Sequence, residues 1–175
     1  YTTLFRSIQM VRAYGARRIY AVERQNSHKK AALALEYGAD EVLFSDQLDL
    51  TQYPFPRGGV DRVLVTTPPK TIDLATKLCN VGGIVAFLGI SYGPGAIVSF
   101  DSNCVHLNKL QIRGSNAIPA LYFPLCFDLL HAGMVDVKKL ISHRFPLEKV
   151  PEGITAFLNE PDKAVKAIMV LHNEP

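Results

Sequence analysis

The chain's 175 residues suffice for one compact domain with a real core, and 48% hydrophobic with 20% charged residues excludes a disordered chain. A net charge of +3 without a long like-charged run excludes a nucleic-acid arm; Arg17, Arg18, Arg24, Lys29 and Lys30 are interrupted by apolar positions and read as a solvated face. No apolar run approaches the roughly 18 residues of a membrane span, and nothing reads as a secretory signal. Cys79, Cys104 and Cys126 stand too far apart for a disulfide framework or a zinc ribbon, so a reducing, cytoplasmic setting is expected.

In chain order, Leu4-Phe5, Ile8, Met10-Val11 and Tyr14 recur at helical spacing, and Gly15 stops the helix. Ile19 to Val22 reads as a buried strand ending at Glu23. Lys29 to Tyr37 is a second helix, capped by Asn26 or Ser27 and stopped by Gly38. Glu41 to Phe44 is a short strand, 45–60 a surface loop, and Asp61 to Thr67 a β-branched strand broken by Pro68-Pro69. A helix over Thr71–Cys79 leads through Gly82-Gly83 into a strand over Ile84–Ile90. Strands at Ile97–Phe100 and Leu110–Gly114 follow, then helices near 120–132 and 149–158 and a last strand at Ala167–Leu171. Pro124 is expected to bend the first of these helices or delay its start. Apolar strands separated by helices predict an α/β fold: a doubly wound, mainly parallel sheet with right-handed crossovers.

Several segments then stand in a telling order: Ala13-Tyr14-Gly15-Ala16, Tyr20-Ala21-Val22-Glu23, and Tyr37-Gly38-Ala39-Asp40-Glu41-Val42. Gly59-Val60-Asp61, Val81 to Gly89, Leu110 to Ser115 and Ile141 to Leu147 continue it. In this order and spacing the chain resembles the coenzyme domain of the medium-chain dehydrogenase/reductase superfamily, in its zinc-dependent branch of alcohol, threonine and sorbitol dehydrogenases. The resemblance implies a Rossmann-type dinucleotide-binding domain over 1–175. It also marks a departure. The family opens with a strand and a Gly-x-Gly-x-x-Gly turn whose backbone receives the pyrophosphate, and here Tyr1-Thr2-Thr3 stand where those glycines would end. The missing strand is the central one of the order 3-2-1-4-5-6. Unpaired buried backbone groups cost about 1–3 kcal/mol each, against a stability of about 5–15 kcal/mol. The chain by itself is therefore expected to fold poorly or bind coenzyme weakly. An opening Tyr1 rather than Met points to an upstream portion, which the resemblance identifies as the catalytic domain.

By resemblance, Glu23 ends the strand whose acid bonds the adenosine ribose hydroxyls and disfavours a 2′-phosphate, so NAD is the expected cofactor. Arg24 beside it can accept that phosphate and keeps NADP open. Thr66 and Thr67 border the coenzyme crevice, or are plain β-formers before a turn. Leu88, Gly89 and Ile90 resemble the segment whose backbone meets the nicotinamide carboxamide, where glycine permits close approach. Ser115, Asn116 and Ala117 match a stretch lining the nicotinamide side, and Lys166 a base that reaches the pyrophosphate. Residues Ala96–Phe100 match an edge strand that pairs with its twin in a homodimer. His28, His106, His131, His143 and His172 lack ligand spacing, so no metal site is expected.

The reading is an NAD-binding domain of an oxidoreductase acting on alcohols or polyols. In the whole enzyme, zinc would polarise the alcohol oxygen from the other domain. No catalytic residue is expected within this sequence. The alternatives are a zinc-free quinone-reductase-like relative, a non-catalytic nucleotide-binding or dimerisation module and, less well matched, a methyltransferase on a similar sheet.

Overall fold

The computed structural model of the chain describes residues 2–116, 118–160 and 162–171. Its helices are α1 (Thr2–Ala13), α2 (His28–Glu36), α3 (Ile72–Lys77), α4 (Ser102–Leu107), α5 (Pro119–His131) and α6 (Val150–Asn159). Its strands are β1 (Tyr20–Glu23), β2 (Glu41–Phe44), β3 (Val60–Val65), β4 (Cys79–Phe87), β5 (Gln111–Gly114), β6 (Ile141–Pro146) and β7 (Lys166–Val170). The chain divides into two compact units, residues 1–47 with 122–175, and residues 48–121. Among the described residues no helix is long and apolar enough to cross a membrane.

Every strand pairing among the described residues is parallel, as the run of apolar strands and helical crossovers predicts. The first unit holds two sheets, β1–β2 and β6–β7, and the second holds β3–β4–β5 in that order. β1 and β3 each keep one edge without a strand partner among the described residues.

The core of the first unit gathers Phe5, Ile8, Ile19, Ala21, Ala34, Tyr37, Ala39 and Leu140. α1 presents Phe5 and Ile8 one turn apart, and Ala34 of α2 stands one turn before its C-cap residue Tyr37. Gly38 closes α2 at φ +103°, a left-handed conformation that L side chains rarely adopt. Arg12 fastens this turn to α1. Its Nε and Nη2 donate to the Gly38 carbonyl (3.2 and 2.8 Å), and its Nη1 donates to the Ala16 carbonyl (2.8 Å). Nη2 also pairs with Asp40 Oδ2 at 2.5 Å, while the Ile19 N–H donates to the same oxygen at 2.7 Å. These two bonds hold the Asp40 carboxyl below its ordinary pKa, the backbone bond from Ile19 first and the Arg12 bond second.

The second unit packs Val65, Ile72, Ala75 and Val85, so α3 covers one face of its sheet. Four elements differ from the sequence reading. The helix expected to Cys79 ends at Lys77, and β4 begins at Cys79 with an irregular pairing before Ile84, where Gly82 takes φ +77°. Helix α4 and strand β6 had no assignment from periodicity. Asp101 caps α4, its Oδ1 accepting the N–H groups of Asn103 (2.9 Å) and Cys104 (3.2 Å).

The segment Ala96–Phe100, expected to pair with its twin in a second copy, forms no ladder within the single chain among the described residues. A 3-10 turn over Gly93–Ala96 runs into an extended segment that reaches the Asp101 cap, with no ladder partner among the described residues. A strand exists only through its ladder bonds. The segment tucks Val98 against the core and leaves Ile97 83% exposed. Pro124 lies inside α5, which starts earlier at Pro119, so the proline does not delay the helix.

Replacing Arg12 with methionine keeps the stem and removes the five donors. We expect a loss of about 2 kcal/mol, discounted for the partly exposed guanidinium. That corresponds to a thermal midpoint lower by roughly 4–8 °C, read by circular dichroism. An unchanged midpoint would show that this turn holds without the arginine.

Candidate functional site

Parallel strands joined by crossovers place their carboxyl ends on one rim of each sheet, and ligands of open α/β sheets bind outside that rim. In the second unit the last rungs of the ladder are Val65 with Phe87 and Phe87 with Gly114. The chain leaves that rim three times. Thr66 and Thr67 follow β3, Leu88, Gly89 and Ile90 follow β4, and Ser115 and Asn116 follow β5. The expected strand through Ile90 therefore stops at Phe87, which puts Leu88–Ile90 in the loop.

Backbone bonds hold these departures together. Leu88 N–H donates to the Val65 carbonyl at 3.0 Å, and Ser115 N–H donates to the Phe87 carbonyl at 3.0 Å. Gly89 lies so close to the next segment that a Cβ there would stand 2.0 Å from the Thr67 carbonyl oxygen. The side chain of Thr67 shares a 2.7 Å hydrogen bond with Thr71 Oγ1. Leu88 and Ile90 are exposed at this rim. The structure thus brings together Thr66, Thr67, Leu88, Gly89, Ile90, Ser115 and Asn116. Ala117 lies outside the described residues.

The first unit offers its own strand end. Glu23 closes β1, is 6% exposed, and carries an Oε1 with no hydrogen-bond partner. Burial pushes its carboxyl above the ordinary value of 4.5, opposed by the positive charge of Lys30 and by a backbone bond from Arg24. Lys30 is 2% exposed, and its ammonium is pushed down by burial and back up by Glu23 and Asp162. Arg24 itself is exposed.

The sequence reading named Glu23 and Arg24 but missed Lys30. The signal was present: Lys30 stands four and seven residues before Ala34 and Tyr37, on the buried side of α2, where a charge needs a partner. Lys166, by contrast, opens β7 and is exposed. Its backbone N–H donates to Ser142 Oγ at 3.1 Å, so it sits at the amino end of its own strand rather than at a carboxyl rim.

A concavity of about 450 Å³ in the first unit contains none of these residues. Its cations are already engaged, Arg12 with Asp40 and Lys139 with Glu36.

Among the described residues no three His, Cys, Asp or Glu side chains gather as a metal ligand set. His143 is built into packing, stacked on Phe145 with centroids 5.9 Å apart and edge-on to Phe157 at 5.8 Å. Its Nδ1 shares a 2.8 Å bond with Ser142 Oγ. His172 lies outside the described residues.

The family model described as zinc-binding dehydrogenase matches residues 7–130. Among curated proteins, the NADP-dependent isopropanol dehydrogenase of Entamoeba histolytica is 29% identical over 90% of this chain and 44% of its own length. The uncharacterised zinc-type alcohol dehydrogenase-like protein AdhB of Bacillus subtilis is 25% identical over 89% of this chain and 46% of its own. The chain therefore spans about half the length of the curated relatives it matches.

Among solved structures, a zinc-binding dehydrogenase of Sinorhizobium meliloti bound to NADP matches with a TM-score of 0.76 and 26% identity. That match covers 85% of this chain and 44% of the other. An alcohol dehydrogenase of Escherichia coli CFT073 complexed with NADH matches at 0.82 and 21% identity over 94% of this chain and 48% of the other, a likeness of fold.

Two outcomes follow from the rim. Gly89→Ala forces a methyl into the Thr67 carbonyl, which is backbone and must shift. We expect at least about 2 kcal/mol of lost stability, seen as a lower urea midpoint. A wild-type midpoint would show that the close approach is dispensable.

Glu23 gives the second. With its pKa raised in the fold, the folded state holds a proton that the unfolded chain releases just above pH 4.5, so stability falls as pH rises through that window. Glu23→Gln removes this loss, and the thermal midpoint of the variant minus that of the wild type should grow from pH 4.5 toward neutrality. A flat difference would mean that the carboxyl ionises freely in the fold.

Proposed function

This chain belongs to the zinc-binding dehydrogenase family, and we propose that it is the nicotinamide-dinucleotide-binding part, residues 1–175, of an oxidoreductase acting on alcohols or polyols. The observation that carries this reading is the buried carboxylate oxygen of Glu23, left without a partner at the carboxyl end of a parallel strand. A buried acceptor with no donor costs free energy unless something supplies one. A pair of ribose hydroxyls supplies two.

The other roles follow from the chemistry of the rim. Leu88, Gly89 and Ile90 offer backbone groups that a carboxamide can bond, and the missing side chain at Gly89 lets the chain lie flat against Thr67. Thr66, Thr67, Ser115 and Asn116 supply hydroxyl and amide partners beside it, and Ala117 is assigned to the same stretch. Lys166 is exposed but opens its strand, and its assignment as the cation for the pyrophosphate rests on the family resemblance alone. When bound, the dinucleotide supplies hydride transfer. The residues here hold and orient it, and no described set of ligands fits zinc.

NAD is the preferred form. Glu23 opposes a 2′-phosphate by charge, whereas Arg24 attracts one, and relatives of both habits exist: an NADP-dependent isopropanol dehydrogenase and an alcohol dehydrogenase complexed with NADH. The cysteines are all free thiols, which accords with a cytoplasmic setting. The two-fold contact is assigned to 96–100, where Ile97 lies exposed.

Titration of the chain with NADH, followed by the fluorescence of the reduced nicotinamide, tests the reading. We expect saturable binding with Kd of roughly 100 µM, about 5.5 kcal/mol. Glu23→Gln should weaken NADH by about tenfold and shift the preference toward NADPH. Absence of saturable binding, or tighter binding of S-adenosylmethionine than of NADH, would overturn it.

A further inference from the structure

Three helices of the first unit finish around one cavity. α1 ends at Ala13, α2 at Glu36 and α5 at His131. The concavity of about 450 Å³ is walled by residues at or just past those ends, among them Ala13, Tyr37 and Met134. A crossover helix returns the chain to the starting end of the next strand, so the cavity lies away from Glu23. Helix carboxyl ends carry partial negative charge, and α2 has no basic residue in its last turn to offset it.

The wall is fixed before anything enters. Gln9, 8% exposed, clamps the backbone of Asp136: its Nε2 donates to the Asp136 carbonyl at 3.0 Å, and its Oε1 accepts the Asp136 N–H at 2.6 Å. Asp136 Oδ1 accepts the Lys138 N–H at 2.8 Å, and Oδ2 has no partner among the described residues. Glu36 gives one oxygen to Lys139 and keeps the other. The Arg12 guanidinium is spent on the carbonyls of Gly38, Ala16 and Arg17 and on Asp40. The free valences of the wall are therefore acceptors.

Tyr37 adds a group of another kind. It is 8% exposed, its ring packs against Phe5 with centroids 6.2 Å apart, and its hydroxyl is buried without a partner. Burial first, then the charges of Asp136 and Glu36, push the phenol up to about 12. It stays neutral, with a proton to donate and lone pairs to accept. Both carboxylates that act on it line the same cavity, which sets the orphaned hydroxyl at the cavity wall.

We propose that this cavity binds a primary alkylammonium ion, whose N–H donors are shared among Asp136, Glu36 and the Tyr37 hydroxyl and whose stem lies against Ala13 and Met134. An ammonium has three donors and no acceptor, which matches a wall whose acceptors are free and whose cations are already paired. Met134, 42% exposed, supplies a flexible apolar surface for the stem. An anion would meet two carboxylates and the negative ends of the helices. The site shares no residue with the strand ends assigned to the dinucleotide, so it stands independently of that reading.

Methyl NMR of the full 175-residue chain reads the result, because of Met10, Met134 and Met169 only Met134 lines the cavity. Titration with butylammonium chloride should shift the Met134 methyl saturably, with Kd on the order of 1 mM, and leave Met169 in place. Butyrate should move neither. Asp136→Asn keeps the backbone clamp and should raise Kd at least about fivefold. Tyr37→Phe should raise it about threefold without lowering the thermal midpoint, whereas a tyrosine with only a packing role would leave Kd unchanged. Circular dichroism checks that each variant folds. No saturable shift below about 20 mM, butyrate binding as tightly as butylammonium, or a wild-type Kd in both variants overturns the proposal.

Discussion

Parallel pairing is the constraint from which the rest of the molecule follows. A parallel ladder cannot be closed by a tight turn, so each strand is followed by a crossover that returns the chain to the same starting end. In the sheet of the second unit this makes Val65, Phe87 and Gly114 rung partners at the finish of three strands. The three departing loops then crowd along one edge, and that crowding explains Gly89. With the Leu88 N–H tied to Val65 and the Ser115 N–H tied to Phe87, the chain between them has room for backbone alone beside the Thr67 carbonyl. A rim made of backbone groups is what a flat amide-bearing ligand can approach.

The first unit adds a different kind of group. Glu23 and Lys30 are the acid and the base that this unit buries almost completely, and each pushes the other back toward its charged form against the cost of burial. For both, burial is the larger effect. One charge partner is therefore not enough to offset desolvation, which is what an orphaned Oε1 would lead one to expect. Such a site is less stable than an apolar replacement would be, and it persists most readily where a ligand's hydroxyls complete the shell. Asp40 makes the contrast. Its carboxyl is exposed enough to be solvated and is bonded by both Ile19 and Arg12, so its shift goes the other way and its part is structural.

The legible parts of the fold were those governed by local rules. Strong alternation of apolar runs and amphipathic stretches gave β1, β2, β3, β5, α1, α2 and α6 within a residue or two, because each buries one face by its own periodicity. The failures came where tertiary contact decides. Ile97-Val98-Ser99-Phe100 has strand composition, but no neighbour offers it a ladder, and the Asp101 cap draws the chain into α4 instead. β6 was passed over because Ser142, His143 and Arg144 interrupt its apolar residues, and its pairing with β7 shows only in three dimensions. In the candidate site, the described residues recognised through family motifs fell on or just beyond the strand ends of each unit, except Lys166, which opens a strand. Lys30 was hidden because a lysine beside Lys29 looks like surface until the phase of α2 is fixed.

Burial finally separates what this chain does by itself from what it leaves open. Parallel sheets are ordinarily covered on both faces. Here α3 covers one face of β3–β4–β5, while Leu64 on the other remains 39% exposed, and Val22 of β1 is 40% exposed. Those faces govern how much stability the chain has in hand, since exposed apolar area contributes none of the roughly 25 cal/mol per Å² that burial returns. The rim is built otherwise. Its bonds run from Leu88 to Val65 and from Ser115 to Phe87, between neighbours on the sheet, and from Thr67 to Thr71 within one connection, all inside one unit. Covering the open faces would therefore raise the population of the folded rim without altering its shape, and a ligand's apparent affinity rises in proportion to that population.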